Sequence, residues 1–254
     1  MNRSSVIALR ELRSFFFSPI AYVIAFFFVL IRGYEAYSLT RMFSIQGRNM
    51  TEFPVTYCTT NGALLMCVLV PAILTMRLFS EEKRTGSMEL LLTAPVTDLE
   101  VVMGKWISAL VFYAALWIPS LVLLFVMQSS WLLDISLPLG LIFTVHLWVL
   151  LAGGLFLAIG LFCSSLTQNQ LVASLSGIVL IYILFFGPYL MVMTQRAPKD
   201  GIELELFEQV FILNHVISSF GKGLLDLSQI WFYLSATAAV LFLTVRSVEA
   251  RKWV

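Results

Sequence analysis

Leu137-Pro-Leu-Gly-Leu-Ile-Phe-Thr-Val-His-Leu-Trp-Val-Leu-Leu-Ala-Gly-Gly-Leu-Phe-Leu-Ala-Ile-Gly-Leu-Phe162 carries no charged residue and a single histidine. The hydrocarbon core of a bilayer is about 30 Å thick and a helix rises about 1.5 Å per residue, so about 20 mostly apolar residues suffice to cross it. Residues 137–162 meet that length, and so do 19–39, 56–76, 105–127, 171–193 and 229–245. Apolar side chains make up 59% of the 254 residues, and these six spans hold most of them. Charged residues amount to 12%, where a soluble domain carries about 25%. So few charges cannot cover a globule with solvated side chains. Disorder is excluded as well, because it needs low hydrophobicity and high charge. The net charge of +1 offers no basic patch for nucleic acid. With no internal repeat and no low-complexity linker, residues 1–254 read as one all-α polytopic membrane domain with six transmembrane helices.

The distribution of Lys and Arg sets the expected orientation. Arg3, Arg10 and Arg13 precede the first span, Arg77, Lys83, Arg84 and Lys105 lie between the second and third, and Arg246, Arg251 and Lys252 follow the sixth, ten in all. The opposite side has five: Arg41, Arg48, Arg196, Lys199 and Lys222. Both termini are therefore expected in the cytoplasm, with a multi-pass chain in the cell membrane. The first span resembles a signal sequence in its basic start, but Arg32-Gly-Tyr-Glu35 follows where a cleavage site would stand, so it reads as an uncleaved anchor. Before it, Ser5–Phe17 mixes Arg10, Glu11 and Arg13 with Val6, Ile7, Leu9, Leu12 and Phe16, a pattern suited to an interfacial helix ahead of Pro19. Trp106, Trp131, Trp231 and Trp253 fall near expected span ends, where amphipathic rings prefer to sit.

The 77–96 connection is longer than two helices need. It reads Arg77-Leu-Phe-Ser-Glu81-Glu82-Lys83-Arg84-Thr85-Gly86-Ser87-Met88-Glu89-Leu-Leu-Leu-Thr93-Ala94-Pro95-Val96. Met88–Leu92 is too short to span and too apolar to be solvated, which suits a short helix packed at the membrane surface or in a partner's groove. Thr97-x-x-Glu100 has the spacing of a capping box, so the third helix is expected to start in the cytoplasm. Nine charged residues are concentrated between 77 and 105.

This loop, together with Pro71–Met76 before it, resembles the permease subunits of type-two ABC exporters, and the gliding-motility branch in particular. Arg10–Tyr22, Gly160–Gln170 and Phe242–Arg246 agree with the same family. The resemblance implies six spans, an N-terminal interfacial elbow helix, a cytoplasmic coupling helix between spans two and three, and extracytoplasmic re-entrant helices before the last span. It further implies that the coupling helix docks into a separate ATP-hydrolysing subunit. Glu81, Glu82, Gly86, Glu89 and Pro95 occupy the positions of the family's charged-Gly-Glu-Pro pattern, as the ATPase-coupling contact. Glutamates at a helix start favour the positive end of its dipole, and a bidentate arginine from the ATPase suits Glu81, Glu82 or Glu89. The complex so implied has two ATPase copies, which carry the ATP and Mg, and a second permease, either the same chain or a related one. No cofactor is expected on this chain. Beyond the lipid bilayer, an extracytoplasmic accessory protein is the further partner the reading allows.

Arg32 and Glu35 form the one charged cluster within a span, at a spacing that lets them pair. Two readings stay open: the span ends early and both reach the outer headgroups, or they mark a transport pathway or dimer seam. In the 194–228 segment, Phe207, Val210, Phe211, Leu213, Val216, Ile217 and Phe220 recur at spacings of three and four, which predicts one apolar helix face. His215 lies on it, and no second His or Cys stands at ligand spacing, so it reads as a helix-face histidine rather than a metal ligand. Cys58, Cys67 and Cys163 show no C-x-x-C spacing and read as small apolar residues. Gly154/Ala158 and Ala173/Gly177 permit close helix approach, and Pro71, Pro119 and Pro188 stand inside spans. There is no Walker sequence, H-E-x-x-H or G-x-S-x-G, so no catalytic site is expected here. The alternative function is a secondary transporter or channel-like subunit without an ATPase.

Overall fold

A computed structural model describes residues 3–86, 96–128, 138–194, 198 and 207–250. Among them no strand occurs, and six helical segments are long and apolar enough to cross a membrane. We label the helices α1 (Arg3–Phe16), α2 (Pro19–Gln46), α3 (Phe53–Cys58), α4 (Asn61–Thr85), α5 (Asp98–Gln128), α6 (Leu139–Leu166), α7 (Gln170–Met193), α8 (Ile212–Ser218) and α9 (Leu227–Glu249). The crossing segments are α2, the α3–α4 pair, α5, α6, α7 and α9.

Local chemistry sets the ends. Pro19 opens α2 at a position where its missing N–H costs nothing. Thr60 accepts from the Ala63 amide to cap α4, and Asp226 accepts from the Ser228 amide to start α9. Thr97 and Glu100 cap α5 reciprocally: the Glu100 carboxylate accepts from the Thr97 amide at 2.9 Å, and the Thr97 hydroxyl accepts from the Glu100 amide at 3.3 Å. Gly86 ends α4 with φ at +72°, a left-handed conformation that glycine adopts without a Cβ clash.

Helix α6 is the centre of the bundle, with Trp148, Val149, Phe156 and Leu157 fully buried. At Gly160 a Cβ would lie 2.1 Å from the Thr75 hydroxyl, so the close approach of α4 to α6 requires glycine there. The Ala173/Gly177 face of α7 packs onto the same place, with Gly177 against Gly160 and Ala72. Helix α1 lies along α5, stacking Phe15 on Phe112 with centroids 5.3 Å apart.

Several helix ends differ from the expected spans. Helix α2 runs past residue 39 to Gln46 and α4 past residue 76 to Thr85, while α5 starts at Asp98, ahead of the 105–127 span and where the Thr97/Glu100 capping box places it. Glu, Lys and Arg are good helix formers, so a helix need not stop where the membrane does. Trp106 lies on α5 and its indole N–H donates to the Gly154 carbonyl at 3.0 Å. The expected second span from residue 56 is interrupted: α3 ends at Cys58 and α4 begins at Asn61.

Candidate functional site

Among the described residues, two buried cations organise the polar interior. The first is Arg32, 2% exposed, on the α2 stripe Phe28, Arg32, Ala36, Leu39 and Phe43. Its helix continues to Gln46, and the guanidinium turns inward. It pairs with Glu35 at 2.7 Å, donates to the Tyr57 carbonyl at 2.9 Å and to the Thr60 and Ser120 hydroxyls at 3.3 Å. The guanidinium also lies 3.6 Å from the centroid of the Tyr57 ring, close enough for a cation–π contact. Glu35 in turn accepts from the Gly62 amide at 2.9 Å. The pair therefore sits astride the break in the second span. The last carbonyls of α3 and the first amides of α4 have no partners within their own helices, and unsatisfied backbone groups are costly inside a membrane. Arg32 covers the C-terminal end of α3 and Glu35 the N-terminal end of α4, each matching the local dipole.

The second is Lys105 in α5, 1% exposed. Its ammonium bonds to Glu82 of α4 at 2.7 Å, to the Leu78 carbonyl at 2.7 Å and to Glu11 of α1 at 3.5 Å. Arg10 closes the group, 2.8 Å from Glu11 and 3.7 Å from Glu82. Burial pushes the Glu11 carboxyl up, but Lys105 and Arg10 together outweigh it and hold the group below its ordinary value of 4.5. Nearby, Arg77 donates to Ser18 at 2.8 Å, tying α4 to the turn between α1 and α2. Lys83 bonds to the Ser165 carbonyl and Ser165 to Ser247, at 3.0 Å for the second contact, which extends the connection to α6 and α9. A cavity of about 270 Å³ opens beside this cluster, lined in part by Glu11, Arg77, Glu81, Glu82, Thr85 and Lys105.

Of the residues singled out in the 77–96 stretch, Glu81 and Glu82 lie on the last turns of α4 and Gly86 forms its C-terminal cap. Glu81 is exposed, whereas Glu82 is half-buried against Lys105. Glu89, Pro95 and the Met88–Leu92 run lie outside the described residues. Sequence reading missed Lys105 and Glu11 as a pair. A usable signal existed, because Lys105 falls on the apolar stripe Val101, Val102, Ser108, Ala109 and Phe112, where a solvated lysine has no place.

The profile of the ABC-2 family transporter proteins matches residues 5–246. The chain belongs to this family. The ABC-2 chain is thus a permease subunit of an ABC transporter, a membrane component that is not itself catalytic and whose family implies an ATPase partner. Membership removes the ground for the secondary-transporter alternative. No curated protein matches the ABC-2 chain in sequence.

Proposed function

We propose that this permease belongs to an ATP-driven export or extrusion complex of the gliding-motility type. It works as a pair with a second permease, the same chain or a related one, and with two ATPase subunits that carry ATP and Mg. The observation that carries this reading is the Lys105 cluster, which joins both helices flanking residues 87–95 to α1. A push delivered to that stretch reaches α4 and α5 together and passes to α1 through Glu11. Glu82 is already held inside the protomer and Glu81 is exposed, so Glu81, with Glu89 by the family resemblance, is the carboxylate to meet an arginine of the ATPase. In this reading α1 is the interfacial elbow, 207–223 is re-entrant from the extracytoplasmic side, both termini are cytoplasmic, and the membrane is the cell membrane. The pair exports a substrate or drives an extracytoplasmic accessory machine.

Affinity-tagged chain extracted in mild detergent should bring down a Walker-motif ATPase. The Glu89→Lys variant should retain membrane insertion yet separate ATP hydrolysis from transport. Recovery of the chain with no ATPase, or unchanged transport by Glu89→Lys, defeats the reading.

A further inference from the structure

We propose that His215 is an acid-sensitive latch that holds the 207–223 segment onto α6 and α9. The segment is pinned to the bundle at three polar points. Thr144 of α6 donates to the Phe220 carbonyl at 2.8 Å, Gln229 of α9 donates to the Ser219 hydroxyl at 2.9 Å, and His215 meets the Tyr233 hydroxyl of α9 at 3.0 Å. Only the third pin contains a group that titrates near neutral pH. His215 is 2% exposed, wedged edge-on between the rings of Phe232 and Tyr233.

The proton positions in this pin follow from its partners. Trp148 of α6 has an indole N–H and no acceptor, so at 3.0 Å it must donate to the Tyr233 oxygen. The single hydrogen of the Tyr233 hydroxyl is then directed at His215 Nδ1, which must be bare. The imidazole proton therefore sits on Nε2, where it donates to the Glu208 carbonyl at 3.2 Å. The chain Trp148, Tyr233, His215, Glu208 is complete with a neutral imidazole. A second proton on Nδ1 points a donor at the Tyr233 oxygen and displaces the phenol hydrogen, for which the described residues provide no other acceptor. One buried hydrogen bond is lost and a buried charge is created together.

The charged and titratable surroundings do not rescue the cation. Asp226, at the start of α9, and Glu208 are both exposed, as is Lys222 in the turn after α8. Helix α7 brings no charged side chain, and α6 brings only His146, which bonds to its own Ile142 carbonyl. Burial dominates and holds His215 below its ordinary value of 6.5, although the Glu208 carbonyl and Asp226 oppose it. The docked state thus binds fewer protons than the released one, and docking weakens as pH falls below 6.5. In the proposed orientation this latch faces outside, so external acid would free the segment without touching the cytoplasmic cluster.

The test is amide exchange on the full chain in lipid nanodiscs, corrected for the intrinsic pH dependence of exchange. On acidification from about pH 7.5 to about pH 5.5, protection over 212–222 should fall by up to about tenfold per unit below the ordinary histidine value, while the centre of α6 stays protected. His215→Asn keeps an acceptor for the Tyr233 hydroxyl and does not titrate, so its protection should be flat over that range. His215→Gln, the second variant should the first not fold, also lacks the titrating group and should be flat as well. Wild-type protection that does not change with pH overturns the latch, and so does an Asn or Gln variant with the full wild-type slope.

Discussion

Arg32 and Lys105 are both buried cations with carboxylate partners, and they do different things. The Arg32 pair is local, three residues apart on one helix, and it completes the backbone at a break between two others. The Lys105 partners come from two other helices, 23 and 94 residues away in sequence. The first cluster repairs a helix interruption inside the span region; the second fastens α1, α4 and α5 into one body beside the stretch read as the coupling contact. A buried charge is thus no single signature. Its partners show whether it serves the backbone or the assembly of elements.

The largest expected effect comes from breaking the assembly cluster. Lys105→Met leaves Glu82 and Glu11 without their shared buried cation and should cost about 3–5 kcal/mol, read as a fall in thermal unfolding temperature in detergent. Adding Glu82→Gln should recover a large part of that loss, because one of the stranded charges is removed. Additive losses would mean that Lys105 and Glu82 do not act as a unit. At the other cluster, Arg32→Lys keeps the charge but loses the planar fork that reaches several acceptors at once. It should cost about 1.5–3 kcal/mol, with the damage seen as faster amide exchange around 57–63. Exchange rising equally throughout α2 would show that Arg32 holds the helix rather than the break.

The smallest effect is an acid response confined to one cluster. Glu11 is held below 4.5, so its share of the binding of α1 is fully present above that value and is lost as pH falls through the lower folded value. Cysteine placed at Ile7, which packs against Gly104, should become more reactive to a polar reagent after brief exposure to that acid range. No increase, or an increase that survives Glu11→Gln, would disconnect the response from Glu11.

Much of the architecture was readable from periodicity and end signals. Pro19, the Thr97/Glu100 pair and the apolar lengths mark helices whose starts and crossings the structure reproduces, because these are short-range effects. The break at Thr59–Thr60 was missed, since Thr-Thr-Asn-Gly is polar but contains no proline, and its stability depends on Arg32 and Glu35 from another helix. The extension of α4 to Thr85 was missed for a different reason: hydropathy reports where a membrane ends, not where a helix does. Of the singled-out contact residues, the sequence named Glu81, Glu82 and Gly86 alike. Only the packing separates an exposed carboxylate from a half-buried brace and a helix cap.

The amino-acid sequence by itself determined that this chain lies in a membrane, how many times it can cross, and which family it belongs to, because these rest on composition, length and local motif. The tertiary structure alone decided which charges meet. Contacts such as Lys105 with Glu11, or His215 with Tyr233, join residues distant in the chain, and their energy exists only once helices bring them out of water together.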